Sequence, residues 1–202
     1  YVPARSIAIP VNKDNAIASG IVKEEDRDLM VDTVYVNIDE RKRYIEKSEM
    51  MLLDMLANFD WNRPICFTQV YILKDFGLLD YLQYDGYAYR LVPILTPYNS
   101  SRNIGRIDSE RTYDLMMNTF RYGNMADEDV LADHFTQYNL SASHAREAFA
   151  RVAKQFAREG NKQKALELLD RGLAVLPSPK LRYSFENTVP FIEAYYILEE
   201  WE

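Results

Sequence analysis

The sequence predicts an α/β protein, a small mixed sheet with flanking helices, followed by an α-helical C-terminal part. Three observations predict it. Short β-branched and aromatic runs alternate with helix-period segments over residues 6–95, the pattern of strands with helices between them. Residues 97–105 (PYNSSRNIG) form the clearest loop, bracketed by Pro97 and Gly105. Beyond that loop every apolar pattern has the period of a helix. The chain therefore divides into an α/β domain over 1–97 and a helical region over 98–202.

The elements follow in order. Residues 6–11 (SIAIPV) are a short apolar run closed by Asn12, Lys13 and Asp14. Residues 31–38 (VDTVYVNI) alternate Thr33, Tyr35 and Asn37 against Val34, Val36 and Ile38, a half-buried strand. Ser48 is placed to cap a helix over 49–59 whose apolar face is Leu52, Leu53, Met55, Leu56 and Phe59. Residues 64–71 (PICFTQVY) read as a strand with proline at its start, where a missing N–H costs least. Asp75 is placed to cap a short helix through Gln83, ended by Gly86, and residues 87–95 (YAYRLVPIL) return as a strand. Four strands separated by helices imply one small sheet with some parallel pairing.

After the loop, Asp108 or Ser109 caps a helix whose Tyr113, Met116, Met117 and Phe120 share a face, and Gly123 stops it. An acidic stretch over 126–133 leads into residues 146–177 (REAFARVAKQFAREGNKQKALELLDRGLAVLP). There Phe149, Val152, Ala153 and Phe156 share one face of a first helix, and Gly160 breaks the chain. Ala165 and Leu169 face them from a second helix, Gly172 follows one turn on, and Pro177 ends the unit. Small residues at 153 and 165 let two backbones approach while the aromatics fill the space beside them. This is the spacing of one tetratricopeptide-like hairpin, over residues 143–177. A last helix over 189–201 is expected to turn Phe191, Ile192, Tyr195 and Tyr196 inward. One repeat is too few to stand alone as a solenoid, so the hairpin is expected to pack on the α/β part.

Composition narrows the function. Hydrophobic residues make up 48% and charged residues 27% of 202 residues, which supports a real core and argues against disorder. A net charge of −7 argues against nucleic acid as a partner, because backbone binding needs a cationic face. The single cysteine, Cys66, permits no internal disulfide, a usage compatible with either a reducing compartment or a periplasmic domain, and is expected to be a small core thiol. No apolar stretch approaches the ~20 residues of a membrane span. The chain starts at Tyr1 and stops at Trp201 and Glu202 inside a helical pattern, and we read it as a segment of a longer protein.

Several phrases occur together in one order: IAIPVNKDNAIASGIV (7–22), LLDMLANFDWNRPICF (52–67), LLDYLQYDGYAYRLVPI (78–94), TYDLMMNTFRYGNM (112–125) and the hairpin through EAYY (193–196). In this the chain resembles the C-terminal portion of the DUF2723 family, large multi-pass membrane proteins common in Bacteroidetes that are similar to GT-C glycosyltransferases of the protein O-mannosyltransferase kind. Cys66 stands where that family usually carries an aromatic, and Phe149 replaces a tryptophan at the first key hairpin position. The resemblance implies a soluble domain on the extracytoplasmic, periplasmic face, with the catalytic residues in a membrane-embedded half outside this chain. The partners it implies are that membrane half and an acceptor polypeptide or envelope proteins.

The candidate binding residues lie on those phrases: Arg63, Tyr87, Arg90 and Asn124. Arg90 shares a strand face with Ala88, Val92 and Ile94, so its guanidinium either contacts an anion or glycan or is held in an ion pair; Arg63 reads the same way. The tyrosines Tyr81, Tyr84, Tyr87 and Tyr89 form either a sugar platform or an interface with the hairpin. No metal site and no cofactor is expected. The acidic residues Asp127, Glu128, Asp129 and Asp133 lack the glycine and alternation of a calcium loop, and His134 and His144 lack ligand spacing. Asp75, Asp80 and Asp85 are spaced too widely on a short helix to act as a glycosidase pair. The expected function is a non-catalytic accessory domain of a membrane glycosyltransferase-like protein. The alternatives are a cell-envelope scaffold without a glycan role and, least favoured, a hydrolase built on the three aspartates.

Overall fold

The alternation of residues 31–38 becomes β2 (Thr33–Asn37), which pairs antiparallel with β1 (Ser6–Pro10), Ile7 opposite Val36 and Ile9 opposite Val34. Val34 and Val36 are buried and Tyr35 is exposed, as the two-residue period requires. The computed structural model describes residues 4–98, 104–138, 142–178, 181 and 183–199. The loop residues 99–103, Pro179, Trp201 and the side chain of His144 lie outside that description.

The chain forms two units, one of Tyr1–Tyr84 with Ala88–Arg106 and the other of Asp85–Tyr87 with Ile107–Glu202. The first is the small sheet region with flanking helices expected from the sequence; the second is the helical part. In the first, the strands form two sheets rather than one. Besides β1–β2 there is a four-stranded sheet in the order β3-β5-β4-β6, with β3 at Cys66–Phe67, β4 at Leu82–Tyr84, β5 at Tyr89–Leu91 and β6 at Arg106–Ile107. The pairs of defined register are antiparallel, so the expected parallel pairing is not found among them.

Two helices flank these sheets. α1 (Lys13–Ala18) begins at Asn12, whose side chain accepts from the Asn15 N–H at 3.1 Å. α2 (Lys47–Ala57) starts before Ser48, so Ser48 is not its cap. The Glu46 N–H instead donates to Glu49 Oε2 at 2.8 Å. Glu49 Oε1 lies 2.7 Å from the Lys42 ammonium, so a nearly buried carboxylate spends both oxygens. The predicted strand over 64–71 survives only as β3, and the chain after it, including the predicted helix over 75–83, forms 3₁₀ turns at Tyr71–Phe76 and Leu79–Tyr81. Leu73 and Phe76 are three apart and both buried, the spacing at which 3₁₀ side chains eclipse. Asp75 is bound to Lys42 at 3.2 Å rather than capping a helix.

In the second unit, Asp108 caps α3 (Ser109–Asp114), accepting from the Arg111 N–H at 3.1 Å, and a π-helical turn continues it over Leu115–Thr119. The short α4 (His134–Tyr138) follows, then the long α5 (Ala142–Arg158) and α6 (Lys162–Val175). Between the last two, the Asn161 N–H donates to Phe156 O at 2.9 Å and the Gly160 N–H to Ala157 O at 3.2 Å. That is a Schellman ending, and Gly160 at φ +80° occupies its left-handed position. Phe149, Val152, Ala153, Phe156, Ala165 and Leu169 are all buried between or beside the two helices. Gly172 has Phe149 directly against it.

The last helix, α7 (Phe185–Ile197), packs on α5. Its inward residues are Asn187, Phe191, Ala194 and Leu198, whereas Ile192 and Tyr196 are exposed, so half of the expected inward set is reversed. Both faces of this helix are apolar, and only the small Ala194 suits close contact with the alanine-rich α5.

Candidate functional site

Arg63 is positioned by a hub that ties two of the sequence phrases, 7–22 and 52–67, together. Trp61 is fully buried, with φ of +57°, a left-handed backbone rare for a bulky residue. Its indole N–H donates to Pro10 O at 2.8 Å, and its carbonyl accepts from Ser19 Oγ at 2.9 Å. Asp60 beside it accepts from Asn12 at 3.1 Å and from Asn15 at 2.7 Å. The Phe59 ring lies 4.7 Å from that of Trp61. These contacts fix the turn that ends α2, and the chain leaves it through Arg63 and Pro64 into β3.

Arg63 itself is exposed and has no hydrogen-bond or ion-pair partner among the described residues. It stands at a groove of about 400 Å³ walled by Leu52 and Met55 of α2 and by Pro64, Ile65, Cys66 and Phe67. Cys66 is exposed, not a core thiol, because β3 is the outermost strand of its sheet. Arg90 is 2% exposed and donates from Nη1 to Gly20 O at 2.7 Å. It thereby ties β5 to the left-handed turn after α1 and does not share a surface with Arg63.

Tyr87 lies in the second unit, apart from Tyr81, Tyr84 and Tyr89 of the first. Its ring packs 4.9 Å from Phe120 and 6.2 Å from Tyr122, and Tyr122 lies 5.6 Å from Phe149 of the hairpin. The Tyr122 hydroxyl donates to Met116 O at 2.7 Å, and burial pushes its pKa up to about 12. Asn124 is exposed at φ +55°, in the turn after that aromatic chain. The four candidates are therefore distributed as one surface cation without a partner among the described residues, one internal clamp, one ring in an aromatic stack and one turn residue.

Sequence reasoning missed how the hairpin is covered. Residues 109–122 lie along α5 and α6: Ser109 Oγ donates to Glu159 at 2.6 Å, Tyr113 donates to Glu167, and the Lys164 ammonium binds Glu110 at 2.7 Å. Tyr113 meets Phe156 edge-on at 5.7 Å. The Glu167 carboxylate, with some burial, pushes the Tyr113 hydroxyl up to about 12. The periodicity of Tyr113 and Met116 marked an inward face, but nothing in it named its partner.

Arg146, also missed, is buried and donates to the carbonyls of Leu176 and Leu181, the first at 2.6 Å from Nη2. It holds the end of α6 to the segment leading into α7, with its guanidinium 4.4 Å from the Tyr183 ring. Asp80 Oδ1 accepts from the Tyr98 N–H at 3.0 Å. Asp85 is buried and belongs to the second unit, so Asp75, Asp80 and Asp85 have separate settings. Among the described residues no cluster of three metal-ligating side chains occurs, and no helix is long and apolar enough to cross a membrane.

Comparison with curated proteins and with solved structures returns no match. Residues 1–111, which carry the Trp61 hub, both sheets and the start of α3, match the family described as TMEM260-associated domain 2. The chain belongs to the TMEM260-associated domain 2 family.

Proposed function

We propose that this chain is a non-catalytic, extracytoplasmic accessory domain of a membrane glycosyltransferase-like protein of the DUF2723 kind. Its family's association with a transmembrane protein supports the membrane setting. The first unit serves the membrane-embedded half of the same protein, and the helical unit serves an acceptor polypeptide or an envelope partner. The observation that carries the interaction role is the outer face of α7, where Phe185, Ile192 and Tyr196 are 80%, 60% and 64% exposed. They recur at intervals of seven and four and so form one apolar stripe. The face of the hairpin that a free-standing repeat offers to ligands is already used by residues 109–122, which leaves α7 as the docking face.

The test is an Ile192→Lys, Tyr196→Lys double variant of the full-length membrane protein. Glycosyl transfer to polypeptide acceptors should fall while the isolated domain keeps its melting temperature. Unchanged transfer sinks the accessory role. A stable complex with envelope proteins that ignores glycosylation and is lost in the same variant would establish the scaffold reading instead.

A further inference from the structure

We infer that the groove beside Arg63 is a docking site for a polypeptide segment that presents a carboxylate next to an apolar side chain. This inference concerns the first unit and does not depend on the function proposed above.

Met50, Met51 and Met55 of α2 are all exposed, and Met51 and Met55 are four apart and so share a face. Met55 reaches the groove, with Leu52 behind it and Ile65 and Phe67 opposite. Unbranched thioethers accommodate side chains of varied shape, which suits a surface that takes up apolar groups from a partner. Arg63 is the groove's charged wall residue.

Charge decides the ligand. The chain carries a net −7, and Arg27 and Arg41 are consumed by carboxylates at 2.8 and 2.7 Å, so what sets Arg63 apart from other exposed arginines such as Arg43 and Arg158 is its place on this groove. Arg63 is not so consumed among the described residues. Its backbone is carried on a turn fixed by Trp61 and Asp60, so only the side chain is ordered when it binds. A planar guanidinium at the mouth of an apolar groove complements a carboxylate. The groove follows residues 64–67 into the outermost strand β3, an extended edge along which a length of chain fits, with an acidic residue at Arg63 and an apolar one against Met55. The affinity rests on Arg63 and on these apolar walls, not on ladder hydrogen bonds to β3.

The experiment titrates the whole chain with a short leucine–glutamate–leucine peptide and follows the methionine methyl signals by NMR. We expect the Met55 signal to move selectively. Replacing glutamate by glutamine in the peptide, or making Arg63→Glu in the protein, should weaken binding by roughly tenfold or more, the scale of a charge-assisted hydrogen bond. Met55→Asp should do the same through the apolar wall, and it serves if the arginine variant misfolds. Shifts elsewhere, affinity unchanged by these substitutions, or silence at millimolar peptide would overturn the proposal. Equal displacement by decanoate would also overturn it, since the site would then read a fatty acid rather than a chain.

Discussion

Gly172→Ala isolates the packing on which the helical unit depends. A Cβ at that position would stand 2.9 Å from Phe149 Cγ, 3.0 Å from its Cδ2 and 3.1 Å from its Cβ. The ring cannot swing aside freely, because Tyr122 lies 5.6 Å away on another side, and the Phe149 Cβ is fixed to the α5 backbone. The helices must therefore separate by a few tenths of an ångström along a buried seam. Overpacking of this sort costs about 1–3 kcal/mol, while alanine regains about 1 kcal/mol of helix propensity over glycine. The net expectation is a loss of about 0–2 kcal/mol, with the midpoint lowered by about 4–8 °C per kcal/mol in a unit of about a hundred residues. Urea and thermal unfolding, followed by near-ultraviolet dichroism, measure it. Phe149→Leu should cost stability by itself, yet the double variant should lose less than the sum, because the smaller side chain makes room. Gly160→Ala provides the contrast: nothing lies within 4 Å, so only the φ of +80° is penalised, at about 1–2 kcal/mol. A Gly172→Ala protein more stable than its parent by about 1 kcal/mol, the propensity gain alone, or strict additivity with Phe149→Leu, would refute the close apposition of α5 and α6.

Two further outcomes follow from the ionisable groups. Tyr113 and Tyr122 both have folded values near 12, above the ordinary 10.0, so the unfolded chain releases those protons first. Their stabilisation is complete below pH ~10 and is lost as pH rises from ~10 to ~12. Glu167, held below the ordinary carboxylate range first by the Tyr113 hydroxyl, contributes above its unfolded value and ceases to do so on acidification. The urea midpoint should decline at both ends of the pH range, Tyr113→Phe should flatten both declines, and a variant with the parent profile would contradict the pair. In the first unit, Glu49→Ala leaves Lys42 with Asp75 alone and strips the start of α2 of its hydrogen bond. A cost of about 2–4 kcal/mol is expected, read from the fluorescence of buried Trp61 during unfolding; a cost below about 0.5 kcal/mol would mean the pair behaves as an exposed one.

What was legible in the residues tracks the length of each pattern. The hairpin was readable because Phe149 through Leu169 repeats the helical period over several turns, with Gly160 and Asn161 marking the break. The strand Thr33–Asn37 was readable from strict alternation. Residues 64–95 were not, because apolar runs of four to eight residues cut by Pro64, Gly77, Gly86 and Pro93 fit strand, 3₁₀ turn or helix equally well. Helix α1 was overlooked although Asn12 and Gly20 bracket it in the expected roles. Of the candidate site, Arg63 stood out through its phrase, but its groove depends on Met55 and Leu52 brought back by the Trp61 turn, which no local window contains. Arg146 gave no signal, since an arginine in an amphipathic helix is ordinarily solvated and its carbonyl partners lie thirty and thirty-five positions away.

The assignment of Asp85–Tyr87 to the second unit means that the chain passes from one body to the other three times, at 84/85, 87/88 and 106/107. The family segment 1–111 therefore carries Tyr87 without Phe120 and Tyr122, the rings that Tyr87 rests against. A relative that joins this segment to an unrelated continuation has to supply its own aromatic cover there or leave a tyrosine bare. Inheritance of the first body's segment thus brings three residues of the second with it.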